Sequence, residues 1–362
     1  MIKALLVTVD FRKGGEWSAG ERAAELEELA VSAGAAVAGN IVVNRHSPCP
    51  SHFIGSGKAD EVAAMCAADK IGLVIFNNDL TGTQQKNLED RTGARVIDRT
   101  QLILDIFAMR ARSSEGKVQV ELAQLMYLMP RLVGKGTELS RLGGGIGTRG
   151  PGEQKLEVDR RRIRDRIARL KKELEALALR RGMMRTRRNR FKVPAVAIVG
   201  YTNAGKSTLM NALTGSSVIV RDKLFATLDP TIKRLVTPDK REILFIDTVG
   251  FLNELPHHVI EAFKATLEES AEADLLLHII DASHPKAKEQ AEAVYKVLGS
   301  INALGKPIIT VLNKIDKISP EAVDRLKSVF GADAAISALK HHGLEDLLRR
   351  ISGSLPGIFK KT

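Results

Sequence analysis

A short glycine-containing segment between two regular stretches constrains this fold more than any other feature of the chain. Residues 200–207 read Gly-Tyr-Thr-Asn-Ala-Gly-Lys-Ser, directly after the apolar run 193–199 and before a helix-like stretch that starts at residue 208. This order predicts a strand, a tight loop and a helix, in which backbone N–H groups and the positive end of the helix point at one place. Such a place binds phosphate, so the sequence predicts a loop for a nucleoside triphosphate.

The side chains of this loop and of a later strand have expected roles around the phosphates. We expect Lys206 to reach the β- and γ-phosphates and the Ser207 hydroxyl to ligate Mg²⁺. A buried strand at 243–247 ends in Asp247 on the Mg²⁺ side of the phosphates. Gly250, which follows it, would let its N–H approach the γ-phosphate.

A switch segment at residues 225–231 is expected to add a threonine hydroxyl to the metal. Thr227 and Thr231 compete for this role, and we favour Thr227. The predicted metal ligands are Ser207, Thr227 and Asp247. The predicted catalytic residues, which would contact Mg²⁺ or the transferred phosphoryl group, are Lys206, Thr227 and Gly250.

The base preference follows from the end of another apolar run, which leads into Asn-Lys-Ile-Asp at residues 313–316. Asp316 would accept two parallel hydrogen bonds from the N1–H and the exocyclic amine of guanine, a donor pair that adenine lacks. Asn313 would brace the loop, Lys314 would lie over the base, and residues 337–339 would close over it. The predicted nucleotide contacts are Gly200, Tyr201, Thr202, Asn203, Ala204, Gly205, Lys206, Ser207, Thr208, Phe225, Ala226, Thr227, Asp247, Thr248, Val249, Gly250, Asn313, Lys314, Asp316, Ser337, Ala338 and Leu339.

These elements, in this order and spacing, resemble the translation-factor-related class of P-loop GTPases, with two departures. Phe251 stands where Ras-like enzymes carry the glutamine that orients the attacking water. A phenyl ring cannot hold water by hydrogen bonding, so we expect slow unaided hydrolysis, unless another local residue substitutes. Asn203 is a candidate for holding K⁺ against the phosphates, and bracing of the loop by its amide is the alternative.

Basic charge is concentrated in one segment of the chain. The net charge is +12, and residues 155–192 contribute +11 of it through sixteen basic and five acidic residues. This imbalance favours binding to a polyanion such as RNA. A merely solvated helix face is the alternative.

The same segment carries an apolar stripe of helical spacing. Ile163, Ile167 and Leu170 continue to Leu174 and Leu177 at intervals of 4, 3, 4 and 3, and residues 118–129 contain a similar stripe. The two stripes predict an antiparallel helical hairpin. Its tip would be the glycine-rich loop 131–152, which either contacts RNA or is simply solvated. The candidate phosphate contacts of the tip and the following helix are Arg131, Lys135, Arg141, Arg149, Arg160 and Arg164.

Residues 1–111 alternate between strand and helix patterns, which predicts a small parallel sheet covered by helices. The predicted strands are 4–9, 36–43, 72–76 and 94–97, and the predicted helices are 19–32, 59–68, 83–91 and 100–112. Residues 55–58, Gly-Ser-Gly-Lys, are too short for a second complete nucleotide loop. An anion at a helix N-terminus is the alternative there.

Composition limits the compartment. Hydrophobic residues make up 44% of the chain, and no apolar run approaches the roughly 20 residues of a membrane span. The N-terminus has a strand pattern rather than that of a signal peptide, and the two cysteines lack metal-site spacing. We expect a cytoplasmic monomer without disulfides.

The whole chain resembles the HflX family of ribosome-associated GTPases. The residues that carry the resemblance are 53–62, 96–100, 103–107, 122–125, 143–153, 200–207, 225–230 and 247–251. It implies hydrolysis of GTP to GDP, binding of the large (50S) ribosomal subunit, and rescue or splitting of stalled 70S ribosomes under stress. We expect the ribosome to stimulate hydrolysis.

We therefore predict an α/β protein in three parts. These are a parallel α/β domain at 1–112, a basic antiparallel helical hairpin at 113–192, and a P-loop GTPase domain with a doubly wound, mostly parallel sheet at 193–362. The alternative function is a GTP-dependent RNA-modification or ribosome-assembly factor. A scaffold without an RNA partner is a third.

Overall fold

The computed structural model of the chain divides into two compact units. One consists of Met1–Met109 and Val118–Glu173, and the other of Arg110–Lys117 and Leu174–Thr362. The described residues are 2–11, 17–135, 151–190, 193–215, 224–225, 228–237, 241–253, 259, 261–263 and 272–355.

A four-stranded parallel sheet forms the core of the first unit. Its strands are β1 (Lys3–Asp10), β2 (Ala36–Asn44), β3 (Leu73–Phe76) and β4 (Arg95–Asp98). Its helices are α1 (Ala19–Ser32), α2 (Ser56–Asp69), α3 (Gly82–Thr92) and α4 (Arg99–Arg110). The strand order is β2-β1-β3-β4, and residues 4–7 of the central strand β1 have no exposed surface. This is the burial expected of a central parallel strand.

All eight predicted elements of this sheet and its helices are confirmed, with ends that differ by at most three residues. Reciprocal capping explains why some ends are sharp. The Ser18 hydroxyl accepts a hydrogen bond from the N–H of Glu21, whose carboxylate accepts one from the N–H of Ser18. Thr81 and Gln84 do the same at the start of α3.

Two further helices form the predicted hairpin. They are α5 (Ser114–Leu128) and α6 (Pro151–Arg190), and a 3-10 helix at Met129–Lys135 follows α5 directly. The expected tip loop, 131–152, is too wide, because helical backbone covers its first five and last two residues.

Ion pairs along the two helices show that they run antiparallel. Arg166 of α6 donates two hydrogen bonds to Glu121 at 2.7 and 2.8 Å. Further along α6, Arg181 pairs with Glu115, which lies earlier in α5. The predicted apolar stripe is the less exposed side of α6, and its member Leu170 has no exposed surface.

Arg131, a candidate phosphate contact, makes several contacts within the first unit. Its guanidinium forms an ion pair with Asp98 at 2.8 Å and donates to the carbonyl oxygens of Leu80 and Tyr127. It also lies 3.5 Å from the centre of the Tyr127 ring. The positive charge of Arg131 is neutralised here by the carboxylate of Asp98.

Asp98, at the end of β4, is the buried centre of this cluster. Its carboxylate also accepts hydrogen bonds from the N–H groups of Leu80 and Gln101 and from the Tyr127 hydroxyl, at 3.2, 2.9 and 2.9 Å. Burial raises the pKa of this carboxyl, and Arg131 and the three donors act in the opposite direction. The cluster joins the sheet to the end of α5.

A six-stranded sheet forms the core of the second unit. Its strands are β5 (Ala195–Gly200), β6 (Thr231–Val236), β7 (Glu242–Asp247), β8 (Leu275–Asp281), β9 (Ile308–Asn313) and β10 (Ala334–Ala335). Its helices are α7 (Lys206–Thr214), α8 (Ala287–Ser300), α9 (Pro320–Phe330) and α10 (Leu344–Ser354). The order is β10-β9-β8-β5-β7-β6, and only β6 is antiparallel to its neighbour. The predicted mostly parallel sheet is confirmed.

The Asp98–Arg131 pair yields a prediction about stability. Arg131→Ala leaves the Asp98 carboxylate buried without its cation, so we expect the free energy of unfolding to fall by about 3 kcal/mol. Urea unfolding can be followed through Trp17, the only tryptophan of the chain, which is 7% exposed in the first unit. Arg95→Ala is the matched control, because Arg95 pairs with Asp105 at 3.8 Å on the exposed surface. The control should cost less than about 1 kcal/mol, and equal losses would contradict the structural role of Arg131.

Candidate nucleotide site

The loop at 200–205 connects a fully buried strand to a helix, as the sequence predicts. Every residue of β5 is buried, and α7 begins at Lys206. Gly205 has a φ of +92°, and a Cβ on it would collide with the side-chain amide of Asn313. A Cβ on Gly200 would collide with the carbonyl oxygen of Ile279 in the neighbouring strand. Because the loop lies so close to the neighbouring strands, only glycine fits at both of its ends.

Lys206 is held inside the loop. Its side chain is buried, and its ammonium donates to the carbonyl oxygens of Gly200 and Tyr201 at 3.1 and 2.7 Å. Burial lowers the pKa of Lys206 to about 8, Asp247 opposes this shift, and Lys314 adds to it. A polyanion bound here would relieve the cost of burying this charge, which is the electrostatic requirement of a phosphate site.

Ser207 and Asp247 come together as predicted for a metal site. The Ser207 hydroxyl donates to Oδ2 of Asp247 at 2.6 Å, and Asp247 is 3% exposed. The next residue, Thr248, donates its hydroxyl to the carbonyl oxygen of Ile198 at 2.7 Å, which fastens the end of β7 to β5. Hydroxyl and carboxylate oxygens are the ligands that Mg²⁺ prefers, so the residues present fit this ion.

The segment after β7 runs alongside the phosphate-binding loop. The N–H of Thr202 donates to the carbonyl oxygen of Phe251 at 2.8 Å. The N–H of Phe251 donates to the carbonyl oxygen of Gly200 at 3.1 Å. A Cβ on Gly250 would lie 2.8 Å from Cα of Thr202 and 3.0 Å from Nζ of Lys206. Close approach, rather than a left-handed φ, is therefore the reason for glycine here. The Phe251 side chain is 1% exposed.

Asn313 braces two loops at once. Its Nδ2 donates to the carbonyl oxygen of Ala204 at 2.8 Å, and its Oδ1 accepts from the N–H of Ala338 at 3.0 Å. Both ends of the amide are satisfied, and the residue is 2% exposed. The phosphate-binding loop and the loop 337–339 are thus held by one side chain.

Asp316 lies beside this brace with its carboxylate directed by Ser337. The Ser337 hydroxyl donates to Oδ1 of Asp316 at 2.5 Å and accepts from the N–H of Lys340 at 3.1 Å. The hydrogen bond from Ser337 holds the pKa of Asp316 below its usual range. The lowered pKa keeps the carboxylate ionised, and the side chain is exposed. An acceptor for two donors requires both.

Asp281 was missed by the sequence reasoning, although it ends an apolar run that is obvious in the sequence. It forms an ion pair with Lys314 at 2.7 Å and accepts from the N–H and hydroxyl of Ser283 at 3.0 and 2.6 Å. The signal was available, because parallel strands end at the same edge of a sheet and β8 neighbours β9. Asp281 fixes the lysine that is expected to cover the base.

The remaining predicted residues fall into three groups. Tyr201, Thr202, Ala204, Val249 and Ala338 are buried around the loops, and Thr208 is half-buried. Asn203, with a φ of +61°, and Leu339, 66% exposed, lie at the surface, whereas Phe225 is buried with a φ of +54°. Ala226 and Thr227 lie outside the described residues.

The other candidate phosphate contacts lie in or near the hairpin. Arg164 is exposed on α6 and Arg160 is half-buried there. Lys135 ends the 3-10 helix. Arg141 and Arg149 lie outside the described residues.

The sequence matches three protein-family models in succession. Residues 20–108 match "GTP-binding GTPase N-terminal", residues 110–188 match "GTP-binding GTPase Middle Region", and residues 195–314 match "50S ribosome-binding GTPase". Among the described residues, no helix is long and apolar enough to cross a membrane.

Relatives and solved structures cover nearly the whole chain. The GTPase HflX of Caldanaerobacter subterraneus is 54% identical over 93% of this chain and 77% of its own length. That of Escherichia coli is 44% identical over 98% and 83%. The crystal structure of a GTP-binding protein from Sulfolobus solfataricus with GDP is 27% identical, with a TM-score of 0.52, over 98% of each chain. The chain therefore belongs to the HflX family of GTPases.

Proposed function

We propose that this GTPase binds the large ribosomal subunit and rescues or splits stalled 70S ribosomes under stress. The observation that carries the proposal is the charge of α6, whose apolar stripe faces inward while arginines such as Arg164 lie at the surface. A helix with a large excess of positive charge suits RNA phosphates. The matching description "50S ribosome-binding GTPase" supports the large subunit as the partner.

The nucleotide site would bind GTP and Mg²⁺ in the positions that the sequence predicts. Ser207 and Asp247 would hold Mg²⁺ together with Thr227, and the ion would offset negative charge on the β- and γ-phosphates. Lys206 would bind the same phosphates, and two carbonyl oxygens of the loop hold its ammonium in place by hydrogen bonds. Asp316 would bind guanine, and Lys314, fixed by Asp281, would cover it.

Hydrolysis would be slow without a partner. Phe251 is buried, so neither its chemistry nor its position allows it to orient the attacking water. The ribosome would then align the water or stabilise the transition state. Hydrolysis would release the switch segment and change the affinity for the ribosome.

A monovalent ion is a further proposed component. The exposed Asn203, at the fourth position of the loop, would hold K⁺ against the phosphates. We expect faster GTP hydrolysis in K⁺ than in Na⁺ at equal ionic strength, and loss of this difference in Asn203→Ala. Equal rates in the two salts for the unmodified protein would contradict the proposal.

Base recognition is tested by Asp316→Asn. The variant loses a carboxylate that accepts two hydrogen bonds, so we expect GTP affinity to fall by about 10- to 100-fold and affinity for xanthosine triphosphate to rise. The measurement is nucleotide binding by calorimetry. Asp324→Asn removes the same charge from an exposed position of α9 and should change neither affinity. An unchanged preference for guanine would refute the assignment of Asp316.

Ribosome coupling is tested by single-turnover GTP hydrolysis with and without 50S particles. We expect saturating 50S particles to raise the rate by at least about tenfold, since a partner that completes a GTPase site acts at this scale or above.

Arg164→Glu should weaken 50S binding and reduce its salt dependence, because each lost phosphate contact lowers the slope of log affinity against log salt concentration by about one. Sedimentation of 70S ribosomes with GTP, a non-hydrolysable analogue or GDP would report splitting.

The matched control is Arg325→Glu, an equal charge reversal on the exposed surface of α9. It should leave 50S binding unchanged. If saturating 50S particles do not stimulate hydrolysis, the ribosome-stimulated mechanism is wrong. If Arg164→Glu and Arg325→Glu weaken binding equally, α6 is not the RNA surface.

A further inference from the structure

Asp229 caps the first helix of the hairpin. It lies in the predicted switch segment, two residues after Thr227. Its Oδ2 accepts hydrogen bonds from the N–H groups of Arg112 and Ser113, both at 2.8 Å. The Ser113 hydroxyl donates to its Oδ1 at 2.5 Å. One carboxylate therefore satisfies three donors at the N-terminus of α5, where negative charge is favoured.

The helix end is shaped to receive this carboxylate. Ser113 is itself the N-cap residue. Its hydroxyl accepts a hydrogen bond from the N–H of Gly116 at 2.8 Å, and its carbonyl oxygen accepts one from the N–H of Lys117. A Cβ on Gly116 would collide with Oδ1 of Asp229. Glycine at this position, in the first turn of a helix, thus makes room for a residue more than a hundred positions away in the sequence.

The contact lies within one compact unit of the chain. Residues Arg110–Lys117 belong to the same compact unit as the nucleotide site, whereas the rest of α5 belongs to the first unit. The C-terminal end of the switch segment is fixed as well: Thr231, two residues after Asp229, begins β6 opposite Asp247 of β7. Leu228, directly before Asp229, is 2% exposed.

We propose that Asp229 is a positioning residue, which fixes the segment carrying Thr227 on the N-terminus of α5 and so links GTP hydrolysis to the hairpin. The link rests on the proposed metal role of Thr227, but on no ribosomal contact. Two extended residues span at most about 7 Å, so Thr227 cannot move further than this from Asp229. A displacement of Thr227 beyond this reach would pull the carboxylate off the helix.

The hairpin is then sensitive to the state of the nucleotide. Release of Asp229 leaves the N–H groups of Arg112 and Ser113 without their acceptor and weakens the first turn of α5. Glu115, in that turn, is the residue that pairs with Arg181 of α6. A change that begins in the switch segment therefore reaches both helices of the hairpin through one helix end.

The test compares Asp229→Ala with Asp229→Asn in the full chain, without ribosomes. We expect Asp229→Ala to lower the single-turnover rate of GTP hydrolysis about tenfold, since small displacements of catalytic groups cost up to about 100-fold. The KM for GTP should change less than twofold, because the phosphate and base loops do not involve Asp229. Asn retains an acceptor for the two N–H groups, and asparagine caps helices well, so Asp229→Asn should stay within about threefold of the unmodified rate.

Amide hydrogen exchange supplies a second readout. At residues 112–116, exchange should differ between a non-hydrolysable GTP analogue and GDP in the unmodified protein and in Asp229→Asn, but not in Asp229→Ala. Ser113→Ala keeps the carboxylate but removes one of its three donors and the acceptor for the N–H of Gly116, so it should have an intermediate effect. Ser319→Ala is the matched control, because Ser319 caps α9 with the same type of hydrogen bond.

The proposal is overturned if Asp229→Ala hydrolyses GTP at the unmodified rate or retains the nucleotide-dependent difference in exchange. It is also overturned if Ser319→Ala produces equal losses, since these would reflect general destabilisation. If Asp229→Ala does not fold, Ser113→Ala decides the outcome by the same two measurements. Failure of ribosome stimulation would leave these results untouched, so the two proposals fail separately.

Discussion

The nucleotide site depends on one buried amide. Asn313 ends β9 and reaches both the phosphate-binding loop, through Ala204, and the base-side loop, through Ala338. Because the amide is both donor and acceptor, no aliphatic residue of similar size could hold the two loops together. Gly205 is glycine for the same reason, since its missing Cβ leaves room for this amide. A side chain at the end of a strand therefore holds the phosphate-binding loop and the loop 337–339 in place.

Basic residues of the hairpin region have two different roles. Arg131 forms an ion pair with Asp98 inside the first unit, and its guanidinium lies over the Tyr127 ring. Arg166 and Arg181 of α6 join that helix to α5. Arg164 remains exposed on α6. A net positive charge in the sequence thus overstates the charge available to RNA, because some of it holds the hairpin together.

Much of the fold and of the site was predictable, because local signals carried it. The strands of the first unit are short apolar runs between turn residues, and its helices begin at capping residues such as Ser18 and Thr81. The phosphate-binding loop and the 313–316 motif are continuous in sequence, so their residues come together by local geometry alone. The ion pair of Arg131 was not predicted, because its partner, Asp98, is 33 positions away and no local pattern links them. Asp229 was overlooked for the same reason, since the helix that it caps precedes it by more than a hundred residues.

Residue types and their spacing were enough to predict the order of strands and helices in the first unit, the phosphate-binding loop, the expected guanine preference and the sign of the hairpin's charge. These depend on residue type and short-range spacing, which backbone geometry translates directly into structure. The folded chain was needed to show which charges are neutralised internally, which glycines are needed for close approach, and that Asp229 of the switch segment caps α5. Those features depend on contacts between residues far apart in the sequence, and such contacts exist only once each unit has folded.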